Sequence, residues 1–306
     1  MATQRSEVPI LYKRMFQDNV ELAVQQLNAK LTPHVYVDRF DGKEKVYEDL
    51  EETDLEPKGR LQNSNPAEPL FDKRKSVKRP YKKQFIFDQN DDEFLGSLAL
   101  PTSEVMMNIK AAHGRFMDAD TLLHGAGTVY GGTEEPYVDQ IELPSTQKVA
   151  VNYVKTGSPA NSGMTPDKII RAMSILKKND IDPLEEEVCV AMDPYMEEDL
   201  ITYVEDAGND VWAKMISEWL SDKSKKLFNA NVVMTNRNQH DAATDISTAV
   251  VWSQRRGIYT CPGEVKTSLD IRPDKDHALQ VSYYMTHATM RRFDKAVVTI
   301  ACDRTP

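Results

Sequence analysis

Seven carboxylates, Glu44, Glu48, Asp49, Glu51, Glu52, Asp54 and Glu56, crowd one short stretch of the chain, and seven cations, Lys73, Arg74, Lys75, Lys78, Arg79, Lys82 and Lys83, crowd another. Between them lies PKGRLQNSNPAEPLF, three prolines and a glycine in fifteen residues, a composition of turns. Charges of one sign repel, so each block must be solvated or set against the other sign. Two extended arms around a turn-rich tip predict a long protruding hairpin. The alternation of Tyr81, Phe85 and Phe87 with Lys82, Gln84 and Ile86 favours a returning strand over disorder. Complementary arms would pair with each other or with a neighbouring copy. A plain solvated surface is one alternative, and a grip on a phosphate backbone by Lys73 to Lys83 is another.

The segments around this hairpin are more ordinary. Phe16, Val20, Val24, Leu27 and Leu31 recur at helical spacing, which predicts an amphipathic helix over 16–31 that Pro33 ends. PTSEVMMNIKAAHGRFMDADTLLHG predicts a long helix, opened by Pro101 to Glu104, striped by Val105, Ile109, Ala112, Phe116 and Leu123, and closed by Gly125. Strand-like pieces follow around Ile141 and over Val149 to Val154, then a helix over 165–179. VCVAM, Val188 to Met192, has the continuous apolar character of a buried strand, and DPYMEEDLITYV starts another helix. This predicts an α/β lobe with strands and helices alternating through about Ser253. From Glu264 helical periodicity stops: Val265, Thr267, Leu269 and Ile271 alternate with polar residues, and Ala296 to Ile300 form a last strand.

At 306 residues the chain is long enough to bury roughly 75% of its extended surface without staples. Its three cysteines, Cys189, Cys261 and Cys302, are far apart, so neither a disulfide framework nor a zinc ribbon is expected. No stretch has the apolar length of a signal peptide core or a membrane span, which predicts a soluble protein made in the cytoplasm. A net charge of −10 argues against strong sequence-independent nucleic-acid binding by the whole molecule.

Catalytic signatures do not emerge. Gly125, Gly127, Gly131 and Gly132 follow a helix and precede a strand, the reverse of a dinucleotide loop, and read as a helix-ending turn. Asp270, Asp274, Asp276 and His277 are interleaved with Arg272 and Lys275 and lack calcium-loop spacing. His240, Asp241 and Asp245 sit in a turn-rich surface loop, and His113 and His124 are about three helical turns apart, too far to share a metal. No catalytic residue, cofactor site or metal site is assigned, and a non-enzymatic role is expected. An α/β hydrolase or nucleotide enzyme would need a catalytic elbow or phosphate loop.

The order of segments resembles the major capsid protein of tailed bacteriophages, with the Hong Kong 97-type fold, over nearly the whole chain. Three stretches carry the resemblance. AAHGRFMDADTLLHGAGTVYGG is similar to that family's helix with small residues, Arg and Asp before a glycine-rich turn, matched by Arg115 and Asp118. TPDKIIRAMSILKKNDIDPLEEEVCVAMDPYMEEDLI is similar to its helix, strand and Asp-Pro-led helix. SLDIRPDKDHALQVSYYMTHATMRRFDKAVVTIACD is similar to its closing strands, with Arg272, Pro273, Asp274, Lys275, Gln280, Arg291 and Arg292 in matching places.

The resemblance implies an α+β fold in five stretches: an N-terminal arm (1–34), an extended loop (35–92), a peripheral domain with a spine helix (93–145), an axial domain (146–263) and the closing strands of the peripheral domain (264–306). It implies self-assembly through hexamers and pentamers into an icosahedral shell that encloses double-stranded DNA. Subunit contacts are then expected from Glu48, Asp49, Glu51, Glu52, Lys78, Arg79, Lys82 and Lys83 on the loop, and from Arg272, Asp274, Lys275, Arg291 and Arg292 on the closing strands. Expected partners are other copies of the chain, a separate scaffolding protein, a portal, a possible decoration protein, and packaged DNA through weak non-specific contact, with no membrane. The expected location is the virion, after assembly in the host cytoplasm. An encapsulin-like nanocompartment shell is the alternative within the same fold; a nucleic-acid-binding module using Lys73 to Lys83 is the alternative outside it.

Overall fold

The computed structural model describes residues 26–50, 52–53, 55, 57, 60, 68, 70–87, 104–132, 135–155, 157–207, 211–221 and 226–304. The elements in chain order are β1 (Tyr36–Val37), β2 (Glu44–Leu50), β3 (Phe71–Val77), β4 (Arg79–Phe87), α1 (Glu104–Ala126), β5 (Val129–Gly131), β6 (Asp139–Ile141), β7 (Lys148–Val149) and α2 (Pro166–Lys178). They continue with β8 (Val188–Met192), α3 (Pro194–Ala207), α4 (Val211–Ser221), β9 (Lys226–Leu227), β10 (Ala230–Met234), β11 (Gln239–Asp241), β12 (Ile246–Ser253), β13 (Ile258–Arg272), β14 (Ala278–Arg291) and β15 (Val297–Asp303). The chain is a mixed α+β protein in two compact units. The smaller takes in the described parts of 1–29, 80–117 and 263–287, and the larger those of 30–79, 118–262 and 288–306.

The larger unit is built on a sheet of order β7-β15-β12-β8-β10-β9, with β11 paired to β12. β8 explains why VCVAM is apolar throughout. Val188, Val190 and Met192 join a cluster with Ile169, Leu176, Met196 and Leu200, so one face of the sheet is covered by α2 and α3. Cys189 and Ala191 point the other way, into a cluster with Leu31, Leu122 and Trp252. A strand buried on both faces has no polar side to alternate with.

The helices of this unit start and stop as their ends dictate. α2 begins at Pro166 with Asp167 in its first turn and ends with Lys177 and Lys178, charges that complement the helix dipole. Before α3, Asp193 Oδ1 accepts the Met196 N–H at 3.0 Å, and its other oxygen takes Arg304 at 3.0 Å. This is an N-cap. Within α2, Lys168 is fully buried and its ammonium donates to the carbonyls of Ser162, Gly163 and Ala301 at 2.7, 2.9 and 3.0 Å.

The smaller unit packs the first half of α1 on one face of the β13, β14 and β4 strands. Ile109, Val281, Tyr283 and Met285 form its core, with Tyr81, Phe85, Phe87, Met106 and Phe116 against them. The alternating aromatics of β4 therefore pack, half-buried, against that core. His113 Nδ1 lies 2.6 Å from the Tyr283 hydroxyl.

Several expectations need correction. Residues 16–25 of the expected N-terminal helix lie outside the described residues, and 26–31 are not helical. The N–H groups of Lys30 and Leu31 are taken by the Asp118 carboxylate, at 2.9 to 3.0 Å, in place of carbonyls one turn back. Pro101 to Ser103 lie outside the described residues, and α1 runs through Gly125 to Ala126, the Gly127 N–H then bonding the Leu123 carbonyl. Of the strand expected over Val149 to Val154 only Val149 pairs, together with Lys148 before it, because the chain turns at Val151. Alternation of strands with helices ends at Ser221; Lys226 to Ser253 carries four strands in succession among the described residues.

Candidate subunit-contact surface

The two charged arms meet directly, within the larger unit. β2 and β3 pair antiparallel from Glu44 opposite Val77 to Leu50 opposite Phe71. Glu48 and Lys73 are cross-strand partners with Nζ 2.9 Å from Oε1, and Lys75 reaches Glu44 diagonally at 2.7 Å. Direct and diagonal pairs are the two geometries a sheet face offers to long side chains. The acidic arm is matched this way only by the first part of the basic run, because the run breaks at Lys78. Lys78 donates to the Phe40 carbonyl, and Arg79, Lys82 and Lys83 continue into β4, next to β14 and not β2. All three are exposed, with Lys83 lying over the Phe85 ring. The expected pairing of complementary arms is thus met within the chain by Lys73 and Lys75, while Arg79, Lys82 and Lys83 take no part in it.

Beneath the exposed pairs lies a buried ionic cluster. Arg74, 6% exposed, grips Asp294 through both terminal nitrogens, at 2.9 and 3.3 Å, and touches Asp72 at 3.3 Å. Arg291 is wholly buried, its Nε 2.6 Å from Asp294, and its other nitrogens donate to the carbonyls of Gly125, Gly127 and Ile141. Burial alone would raise the Asp294 pKa, but hydrogen bonds and charge from the two arginines outweigh it and hold the carboxyl below its ordinary 3.8. Arg292 binds Asp49 and covers the Tyr47 ring. Burial pushes the Asp49 carboxyl up and Asp72, directly opposite on β3, adds to the shift, against the pull of Arg292. At the rim Lys295 pairs with Glu52 at 2.8 Å.

A close backbone approach completes the base of the hairpin. β5 pairs with β3, Gly131 opposite Arg74, and a Cβ on Gly131 would lie 2.4 Å from the Lys73 carbonyl oxygen. Gly132, with φ at +125°, then donates to that same carbonyl. The glycine cluster thus lets one strand lie tight against the basic arm. Only Gly125 and Gly127 belong to the helix end.

Arg272 and Asp274, in the smaller unit, form the other charged knot. They make a bidentate pair at 2.6 and 2.7 Å at the β13–β14 turn, and Arg272 also reaches Gln280 at 2.8 Å. The hydrogen bond from Arg272 pulls the Asp274 carboxyl down to about 2. Lys275 is exposed beside them, and Asp276 and His277 take the left-handed backbone of a tight turn. Among the described residues no group of three or more His, Cys, Asp and Glu side chains is placed to hold a metal, and no helix is long and apolar enough to cross a membrane.

Of the expected contact residues, Glu51 lies outside the described residues. Glu48, Asp49 and Glu52 are engaged within the chain, as are Arg272, Asp274, Arg291 and Arg292. Sequence reasoning missed Asp294, the centre of the cluster. The RRFD sequence at 291–294 held its signal, a cation and a carboxylate three residues apart.

The residues matched on α1 have local roles. Asp118 is fully buried against the backbone of Lys30 and Leu31. Arg115 reaches the Gln26 carbonyl at 3.5 Å, and Gly114 leaves room for the backbone of Asn28 and Ala29, which a Cβ would meet at 2.8 to 2.9 Å.

These features define a structural class, an α+β chain with a stiffened charged hairpin, and solved structures place the fold among viral shells. The capsid of a native GTA particle aligns with a TM-score of 0.64 at 10% identity, over 94% of this chain and 93% of that one. Microbacterium phage Oxtober96 gives 0.64 at 11% identity, over 94% of each chain, and the capsid of cyanophage P-SCSP1u gives 0.62 at 12%, over 93% and 91%. Identities this low speak for the fold alone. No curated protein matches the sequence. The family model described as phage capsid protein matches residues 8–304, and the chain belongs to that family. It is a major capsid protein, a structural component whose copies associate in the virion shell.

Proposed function

We propose that this chain is the shell subunit of a tailed double-stranded DNA phage, assembling through hexamers and pentamers into an icosahedral capsid around the genome. The observation that carries this beyond family membership is the divided fate of the hairpin. Its base is locked into its own chain by Arg74, Asp294 and Arg292, while Leu50, Leu55, Leu70 and Phe71 stay exposed beyond it. Exposed apolar side chains next to a strand pair fixed in place, Leu50 and Phe71 being cross-strand partners, are the mark of a surface meant for another molecule.

The five stretches of the Hong Kong 97-type layout fit this role: an arm over 1–34, the loop over 35–92, a peripheral domain from 93–145 and 264–306, and an axial domain over 146–263. Of the expected contact cations, Arg79, Lys82, Lys83 and Lys275 are exposed and available to a neighbour. Glu48, Asp49, Glu52, Lys78, Arg272, Asp274, Arg291 and Arg292 act by holding the contacting elements in shape. A scaffolding protein, a portal and a decoration protein are partners of this role, with assembly in the host cytoplasm. The net charge of −10 keeps contact with packaged DNA weak.

Negative-stain electron microscopy of the expressed chain, at low and high salt and with a candidate scaffolding protein, tests the proposal. Closed shells or hexameric and pentameric rings are the expected result. A compact monomer under every condition overturns it.

A further inference from the structure

Between α2 and α4, in the larger unit, lies an open groove of about 690 Å³ that the hairpin contacts leave unexplained. Met173 and Leu227 floor it, and Trp212, Trp219 and Phe228 wall it. Lys177, Lys178 and Lys226 stand at its rim with one carboxylate, Glu218, and Lys177 is paired with Asp182 at 3.8 Å, which leaves a local excess of one positive charge in a chain whose net charge is −10.

One wall is held there at a cost. Phe228 and Asn229 form the two-residue turn between β9 and β10, with φ at +51° and +66°. Such a turn takes Asn-Gly by preference, and a bulky aromatic in left-handed backbone is an outlier. Strain of this kind persists only where the surroundings impose it. Here it sets the Phe228 ring 5.7 Å from that of Trp212, at the groove.

The same unit carries the complementary surface. α3, PYMEEDLITYVEDA, has five carboxylates and no cation. Tyr195, Glu198, Ile201, Thr202 and Glu205 fall on one face by helical spacing and are all exposed, Tyr195 by 52% and Ile201 by 39%. Glu198 and Glu205 make no salt bridge among the described residues. An apolar centre edged by carboxylates matches a groove of aromatics edged by lysines.

We propose that this groove receives the exposed face of α3 from a second copy of the chain, Ile201 entering between the aromatic walls and Glu198 and Glu205 meeting the lysines. The inference rests on the shell reading above and names one of its contacts. Because the two surfaces differ, the contact is heterologous: every copy gives one and receives one, and the series closes into a ring where the rotation permits. A base-stacking platform for single-stranded nucleic acid is the other use of such walls. The acidic helix at hand favours protein.

Ile201→Cys chains co-expressed with Met215→Cys chains test this, since Met215 is exposed at the groove and the three native cysteines are buried. Under mild oxidation of assembled particles, a disulfide-linked dimer is expected only when both variants are present, at least about tenfold above either alone. Particles that form without it, or single variants that cross-link equally, overturn the α3 contact. Should these variants fail to assemble, charge reversal decides: Lys178→Glu with Lys226→Glu is expected to abolish assembly, and adding Glu198→Lys with Glu205→Lys to restore it. No loss, or no restoration, overturns the contact, as does quenching of tryptophan fluorescence by an oligothymidine but no dependence of assembly on α3. A wild-type chain forming neither rings nor shells instead removes the shell reading on which the contact rests.

Discussion

Arg74 and Asp294, 220 residues apart in sequence, share a two-pronged ion pair at 2.9 and 3.3 Å. It fixes the basic arm of the hairpin to the turn before β15. Because Asp294 also holds the buried Arg291, its loss leaves two buried guanidinium groups short of a counter-charge, Arg74 keeping only Asp72 and Arg291 only backbone carbonyls. Breaking a buried pair on one side costs about 3 to 5 kcal/mol. Asp294→Ala is therefore expected to lower the unfolding free energy by about that amount in denaturant titration. A loss under about 1 kcal/mol, the range of exposed pairs, would show that the cluster is not buried in solution.

The same carboxyl predicts an acid response of definite sign. Its folded pKa lies below the unfolded 3.8, so between the two values the unfolded chain binds more protons and stability falls as pH falls. The contribution is complete above about pH 3.8 and is lost as pH passes down through the folded value. Unfolding free energies measured from pH 5 downward should drop less steeply in Asp294→Asn than in the wild type. Equal slopes would assign acid sensitivity to other groups.

Much of the fold was legible because it depends on local periodicity. The stripe of Ile169, Met173 and Leu176 gave α2, the unbroken apolar run of β8 gave a buried strand, and the alternating aromatics of β4 gave a returning strand. What the sequence hid were choices among distant partners. Arg74 looks like any member of a basic run until Asp294 arrives from the far end of the chain, and Asp118 looks like a solvated helix residue until the backbone at Lys30 covers it. Alternation also misled: Val265 and Ile271 on β13 suggest a buried face, yet both are exposed in the single chain. The pattern marks a strand, but what covers it is set by tertiary or quaternary packing.

Gly114 yields a prediction against helix propensity. Replacing an interior helical glycine by alanine ordinarily stabilises a helix by about 1 kcal/mol. Here the new Cβ would stand 2.8 Å from the Ala29 nitrogen, a backbone atom that cannot rotate away. Gly114→Ala is expected to lower the melting temperature and to speed proteolysis on the N-terminal side of Lys30. A raised melting temperature would show that the segment does not rest on the helix.

Salt dependence of assembly follows from the exposed cations of β4. Arg79, Lys82 and Lys83 are exposed, while Lys78 is tied to the Phe40 carbonyl, so reversing the first three alters the surface and spares the fold. Each exposed pair is worth roughly 0 to 1 kcal/mol, too little to hold two copies together. Repeated on every copy of a closed shell, the sum becomes decisive while each contact remains reversible enough to correct errors. The triple Arg79→Glu, Lys82→Glu, Lys83→Glu variant should keep the wild-type circular dichroism spectrum and melting temperature and fail to form particles by sedimentation. Wild-type assembly should weaken between about 0.1 M and about 1 M salt, as the screening length falls from ~10 Å to ~3 Å. Normal particles from the triple variant, with assembly indifferent to salt, would remove these cations from the contact.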